Sequence, residues 1–182
     1  GLFPFGGCYL RKFSPTGTPR YYWGRIDKEE DLIAQVYGRR LVVNFCDAPG
    51  DLAIDGRVNT TAKDYAEMHE VAHAITTHLI DRYGTATLDF VWSIGNEPDL
   101  GALFWRTTWE EFQRFYDYTA DGILRAFEDK GMDSSRVRVG GLESDLHALP
   151  AMEFHADTSE LFRMLKKGHH GAPCPLTLPP KT

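Results

Sequence analysis

The sequence is poor in cysteine, in basic clusters and in long apolar runs, and each shortage removes a class of protein. Its three cysteines, Cys8, Cys46 and Cys174, are odd in number and far apart. That fits neither a disulfide framework nor a CxxC zinc pair, and leaves buried or incidental thiols as the ordinary reading. No apolar run approaches the roughly 18–20 residues that cross a bilayer, and residues 1–7 place no basic stretch ahead of an apolar one. Neither a membrane anchor nor a signal peptide is therefore expected, and the compartment is left open. Twenty Lys and Arg stand against 26 Asp and Glu, a formal charge of −6. With no Lys/Arg cluster to neutralise a phosphate backbone, nucleic acid is not an expected partner. Internal repeats and low-complexity tracts are absent as well.

What is present suits a folded domain. The 182 residues are 42% hydrophobic, 13% aromatic and 25% charged, enough apolar surface for a core in a chain of ordinary single-domain length. A helix is expected over residues 27–37, with Leu32, Ile33 and Val36 on one side and Gly38 ending it. The β-branched run 41–45 reads as a buried strand, closed by Asp47-Ala48-Pro49-Gly50. Over residues 61–83, Tyr65, Met68, Ala72, Ile75 and Leu79 recur at helical spacing; Thr61 with Asp64 resembles a capping box and Gly84 is a natural stop.

Residues 88–94 predict a second strand, broken by Gly95. A helix follows, opened by Thr108 with Glu111 three residues on, its inner side carrying Trp109, Phe112, Tyr116, Ile123 and Phe127 and its end near Gly131. A third strand is expected over 136–139, closed by Gly140-Gly141, then a helix over 158–167 and an irregular tail over 168–182. Strand, loop and helix repeat in that order, and helical crossovers require parallel strands. The class is α/β, as a barrel or an open sheet.

Two motifs compete for the chemistry. His69-Glu70-Val71-Ala72-His73 matches HExxH, which places two imidazoles one helical turn apart on one metal while the Glu activates a water. It needs a third ligand. Thr76 occupies the Gly position of the metzincin extension and His78 falls one residue short of its His, so the remaining candidate is Glu97. However, Glu97 follows a strand-like run, and Pro98 is badly placed inside a helix. On the 3.6 period His69 and His73 lie at the solvent margin of the apolar stripe, where a structural role is the plainer reading.

The second motif is Trp92-Ser93-Ile94-Gly95-Asn96-Glu97-Pro98-Asp99. It puts a carboxylate just past the C-terminal end of a parallel strand, where α/β barrels carry catalytic groups. Glu97 there suits a general acid, and Asn96 can hydrogen-bond a substrate hydroxyl. A polar turn is the structural alternative.

The order Arg82-Tyr83-Gly84, Phe90-Val91-Trp92, Asn96-Glu97-Pro98-Asp99-Leu100, Phe104-Trp105 and Gly140-Gly141 resembles glycoside hydrolase family 39, the β-xylosidases and α-L-iduronidases of a clan of retaining (β/α)8-barrel glycosidases. Residues 41–53 also look like that family's third strand and loop. The resemblance covers about residues 27–176 and implies a partial (β/α)8 TIM barrel, roughly strands three to five with their helices, within one incomplete catalytic domain over 1–182; a whole barrel typically takes about 250 residues.

Carried over residue by residue, the resemblance makes Glu97 the acid/base, Asn96 the contact to the sugar 2-hydroxyl and Trp105 an aromatic near the sugar. It implies a carbohydrate substrate and no cofactor. A retaining mechanism also needs a nucleophile roughly 5–5.5 Å from the acid/base. In this family that is a Glu at the end of the seventh strand, beyond the strands expected here. Glu143 is the nearest local carboxylate, in a position to which the pattern gives no catalytic role.

The chain departs from the family's pattern at Gly95, where a Trp is usual, at Leu142 in place of Pro, and after Leu176, where Pro179-Pro180 bars a central strand. His169-His170 reads as a polar loop. Two rival functions are a zinc metallopeptidase on His69, Glu70, His73 and Glu97, and a non-catalytic sugar binder stacking on Trp92, Trp105 and Tyr116. An incomplete barrel is expected to self-associate through open edges and apolar faces.

Overall fold

A computed structural model describes residues 8–10 and 17–143. The expected helix at 158–167, the tail at 168–182, Cys174 and His169-His170 lie outside the described residues. Two short strands, β1 (Tyr9–Leu10) and β2 (Arg20–Tyr21), pair antiparallel with Tyr9 opposite Tyr21. They lead into an aromatic stack in which Tyr21, Trp23 and His78 lie nearly parallel at 5.0 and 4.2 Å.

The main sheet is three parallel strands in the order β3 (Val42–Phe45), β4 (Val91–Asn96), β5 (Arg138–Glu143). Val43 stands opposite Trp92, and Trp92 opposite Val139. Helix α2 (Tyr65–Tyr83) connects β3 to β4, and α3 (Trp109–Asp129) connects β4 to β5. The expected α/β class with parallel strands is thus what forms. As the central strand, β4 is buried on both faces through Trp92, Ser93 and Ile94, the ordinary condition of parallel strands under helices. Trp92 meets Phe127 of α3 edge-on, ring centroids 5.6 Å apart, a geometry worth about 0.5–1.5 kcal/mol beyond burial.

Local signals set the helix ends, with some displacement. Thr108 caps α3, its hydroxyl accepting the Glu111 N–H at 3.3 Å, while the Glu111 carboxylate takes the Tyr65 hydroxyl of α2. For α2 the cap is Asp64 itself, accepting the Glu67 N–H at 3.0 Å. The expected start at Thr61 is therefore three residues early, because Thr61 bonds to the Tyr65 hydroxyl instead.

Helix α1 (Gly24–Asp31) begins before residue 27 and passes into a wider turn over Leu32–Val36, where the Tyr37 N–H reaches back to the Leu32 carbonyl. Leu32, Ile33 and Val36 are exposed rather than core-facing. Glycine did not stop the strands: β4 runs through Gly95 to Asn96, and β5 begins at Arg138 and includes Gly140 and Gly141. A Cβ at Gly141 would lie 2.2 Å from the Ile94 carbonyl oxygen, so glycine there permits the pairing rather than ending it.

Where α2 crosses α3 the backbones nearly touch. A Cβ on Gly122 would stand 2.5 Å from the His69 carbonyl oxygen and 3.0 Å from Ala72 Cβ. This close approach places the polar side chains of the two helices within bonding distance of each other.

Candidate active site

Strands β3, β4 and β5 are parallel, so the loops leaving their C-terminal ends share one edge of the sheet. Asn96 is the last residue of β4, in register with Glu143 of β5. Gly95 just before it takes φ 83, and Glu97 just after it is left-handed at φ 45, ψ 45. A side chain disfavours that region by roughly 1–2 kcal/mol, and such strain collects at functional sites. Pro98 then opens a 3₁₀ segment over Pro98–Leu103, and the Leu100 N–H bonds the Glu97 carbonyl at 3.0 Å. Asn96 and Glu97 are both half-buried. The structure thus brings these two together at a sheet edge, on a strand end and not on a helix.

Trp105 is in the same loop but is 1% exposed. Its indole N–H donates to the Thr108 carbonyl at 3.1 Å, and its ring lies against Phe112 and Phe115 at 5.0 and 5.4 Å. Here Trp105 anchors the loop to α3 and offers a sugar no open face. Trp92 and Tyr116 are buried as well. The sugar-binding reading that stacked a ligand on these three aromatics finds no support, because stacking needs an exposed ring face.

The neighbouring loop, residues 46–64 after β3, supplies groups that sequence reading missed. Asp47 accepts the Asn59 N–H; burial pushes its carboxyl up to about 6, against the opposing pull of that hydrogen bond and of Arg106. Arg106, from the Glu97 loop, pairs with Asp55, whose carboxyl is held down at about 2 by that guanidinium. The available signals were an Asp two residues after a strand and an Asn, a residue that tolerates left-handed backbone, in the same loop.

The HExxH histidines are committed elsewhere. His69 Nε2 lies 3.0 Å from Asp121 Oδ2 and His73 Nε2 lies 2.9 Å from Asp129 Oδ2, both aspartates on α3. Glu70 is exposed beside His69 Nδ1 at 3.2 Å. Among the described residues no three His, Cys, Asp or Glu are grouped to hold a metal. The zinc reading on His69, His73 and Glu97 finds no support: the two histidines join α2 to α3, while Glu97 sits at a strand end.

Comparison with known proteins then fixes the family. The model for Glycosyl hydrolases family 39 matches residues 53–161, more than half of the chain and inclusive of Asn96 and Glu97. The chain belongs to this family.

A β-xylosidase from Caldicellulosiruptor saccharolyticus is 36% identical over 83 residues, 45% of this chain and 16% of the relative. Among solved structures, the β-xylosidase of Caulobacter crescentus from family 39 is similar with a TM-score of 0.62 at 21% identity, over 90% of this chain and 34% of that one. The family-39 enzyme of Xanthomonas axonopodis pv. citri gives 0.59 at 20% identity, over 76% and 26%. The chain therefore spans about a sixth of the curated relative and about a quarter to a third of these structures. The three parallel strands and their helices agree with part of a family-39 barrel.

The Arg-Tyr-Gly stretch that supports this family membership is structural here. Arg82 Nε donates to Asp31 at 2.8 Å and the Tyr83 hydroxyl to the same carboxylate at 2.8 Å, tying the end of α2 to α1. Gly84 closes the helix with its N–H on the Ile80 carbonyl.

Proposed function

We propose that this family-39 chain contributes the acid/base of a retaining glycosidase acting on a xyloside or related O-glycoside, within a segment covering barrel strands three to five. The observation that carries the reading is Glu97, held left-handed at the C-terminal end of the central parallel strand with Asn96 before it. Glu97 protonates the glycosidic oxygen as the bond breaks and later takes the proton of the water that releases the glycosyl group. Asn96 contacts the sugar 2-hydroxyl, a bond that strengthens in the transition state. Trp105 acts at the sugar site through the loop it anchors. The nucleophile is assigned to no residue of this chain, and hydrolysis by the chain alone is accordingly expected to be slow or absent.

The test is binding of a xylose-configured iminosugar, cationic at the anomeric end, followed by ligand-detected NMR. Loss of one charge-assisted contact in Glu97→Gln should weaken binding about tenfold or more, and Glu70→Gln should leave it unchanged. Binding indifferent to Glu97→Gln overturns the assignment. Turnover of an aryl xyloside at an ordinary glycosidase rate, lost in Glu97→Gln, would support the acid/base and overturn the absence of a nucleophile.

A further inference from the structure

Among the described residues, two that are not glycine have left-handed backbone, Asn59 at φ 61 and Glu97 at φ 45. They stand in the loops that leave neighbouring strands β3 and β4. Asn59 is bonded from three of its atoms: its N–H donates to Asp47, its side-chain amide donates to the Leu103 carbonyl, and its own carbonyl accepts the Arg106 N–H at 2.9 Å. The first of these ties it to the end of β3; the other two reach across to the Glu97 loop. Arg106 returns the link, its guanidinium donating to the Val58 carbonyl at 2.8 Å and to Asp55 at 3.0 Å.

We propose that Asn59 is a positioning residue for Glu97, clamping the loop after β4 onto the loop after β3 so that the carboxylate is held at the sheet edge. The mechanical path is short. Leu103, which Asn59 holds, ends the 3₁₀ segment that Glu97 caps, and the Leu100 N–H on the Glu97 carbonyl makes its first turn. Gly101, at φ 61, kinks that segment, and its carbonyl accepts the Phe104 N–H at 2.9 Å and the Trp105 N–H at 2.7 Å, so the segment is internally tied and follows Leu103 as a unit. Trp105 is pinned under α3, so the segment that starts at Glu97 is held at its far end from two sides, by α3 through Trp105 and by the loop after β3 through Asn59. Asparagine serves because its amide tolerates left-handed backbone and supplies a donor that glycine lacks.

The inference rests on the acid/base reading of Glu97, and its test includes readouts that do not depend on sugar. Asn59→Gly keeps the left-handed backbone and both main-chain bonds while removing the donor to Leu103. Expected are amide exchange at Leu103–Arg106 faster by about tenfold or more with the α3 interior unchanged, a displaced Glu97 carboxyl ¹³C resonance, and iminosugar binding weakened about tenfold. Asp47→Ala, which removes the other anchor of Asn59, should move the same signals in the same direction. If both variants fold and neither the loop exchange nor the Glu97 resonance changes, the clamp is overturned, whatever sugar does. If both signals respond but wild-type chain binds no iminosugar, the clamp stands and the acid/base reading falls.

Discussion

His69 of α2 and Asp121 of α3 meet Nε2 to Oδ2 at 3.0 Å with each side chain 10% exposed, making the sequence's most enzyme-like motif part of a helix–helix contact. Burial alone would lower the imidazole pKa, but the hydrogen bonds it donates to the Asp121 and Glu70 carboxylates outweigh it and hold it above 6.5. A raised folded-state value means that the stabilisation is complete below pH 6.5, the unfolded value, and is lost as pH rises through the folded one. The neighbouring charges are Glu70, His73 and Asp129, with Arg125 across the same groove. Urea melts should show the chain more stable at pH 6 than at pH 8.5. His69→Ala should flatten that difference and cost about 3 kcal/mol at pH 6 by stranding Asp121; equal melts of the parent chain at both pH values would contradict this.

Because His69 and His73 bond to aspartates, metal should be irrelevant to this contact. Dialysis against EDTA is expected to leave the melting temperature unchanged, and purified protein to hold no stoichiometric zinc. A chelator-induced drop of several degrees would restore the metal reading.

Asp47 titrates in the opposite sense to a salt-bridged carboxylate. Its folded value near 6 lies above its ordinary 3.8, so its ionisation costs stability above pH 6, and the cost disappears as pH falls through 6 toward 4. The displacement corresponds to an upper bound on the order of 3 kcal/mol. Asp47→Asn should remove that pH dependence and leave a chain at least as stable at pH 8. A loss of stability at pH 8 that matches the loss at pH 5 would refute the assignment.

Gly122 is the tightest point of the α2–α3 crossing. Gly122→Ala improves helix propensity yet drives a methyl against the His69 carbonyl, and overpacking of this kind costs about 1–3 kcal/mol. Thermal melts are expected to fall despite the gain in propensity. A rise in melting temperature would show that the helices can separate freely.

Leu32, Ile33, Val36 and Tyr37 are exposed on the turn after α1, and Val42 is exposed on β3, which lies at the edge of the sheet among the described residues. Self-association through these surfaces is expected. Sedimentation velocity should show a concentration-dependent shift that Val36→Glu with Val42→Lys reduces; a monomer at all concentrations would count against it.

The sequence by itself determined the order of the three parallel strands and the helices between them, the parallel class, the caps at Thr108 and Gly84, and the place of Asn96 and Glu97 at the end of a strand; it did not show the short β1–β2 pair. All of these are properties of residues close along the chain, where periodicity, capping and turn chemistry act. Some local judgements still failed: Gly95, Gly140 and Gly141 read as stops, because glycine signals a break unless a neighbouring strand needs the space. The tertiary structure decided what the marked side chains do. His69 meets Asp121 across 52 residues, Asn59 meets Leu103 across 44, and Trp105 is buried against Phe112 of α3. Such pairings are set by which helix faces and loops the packing brings together. An HExxH pattern or an exposed-looking tryptophan therefore has the same local sequence whether it meets a ligand or the protein's own interior.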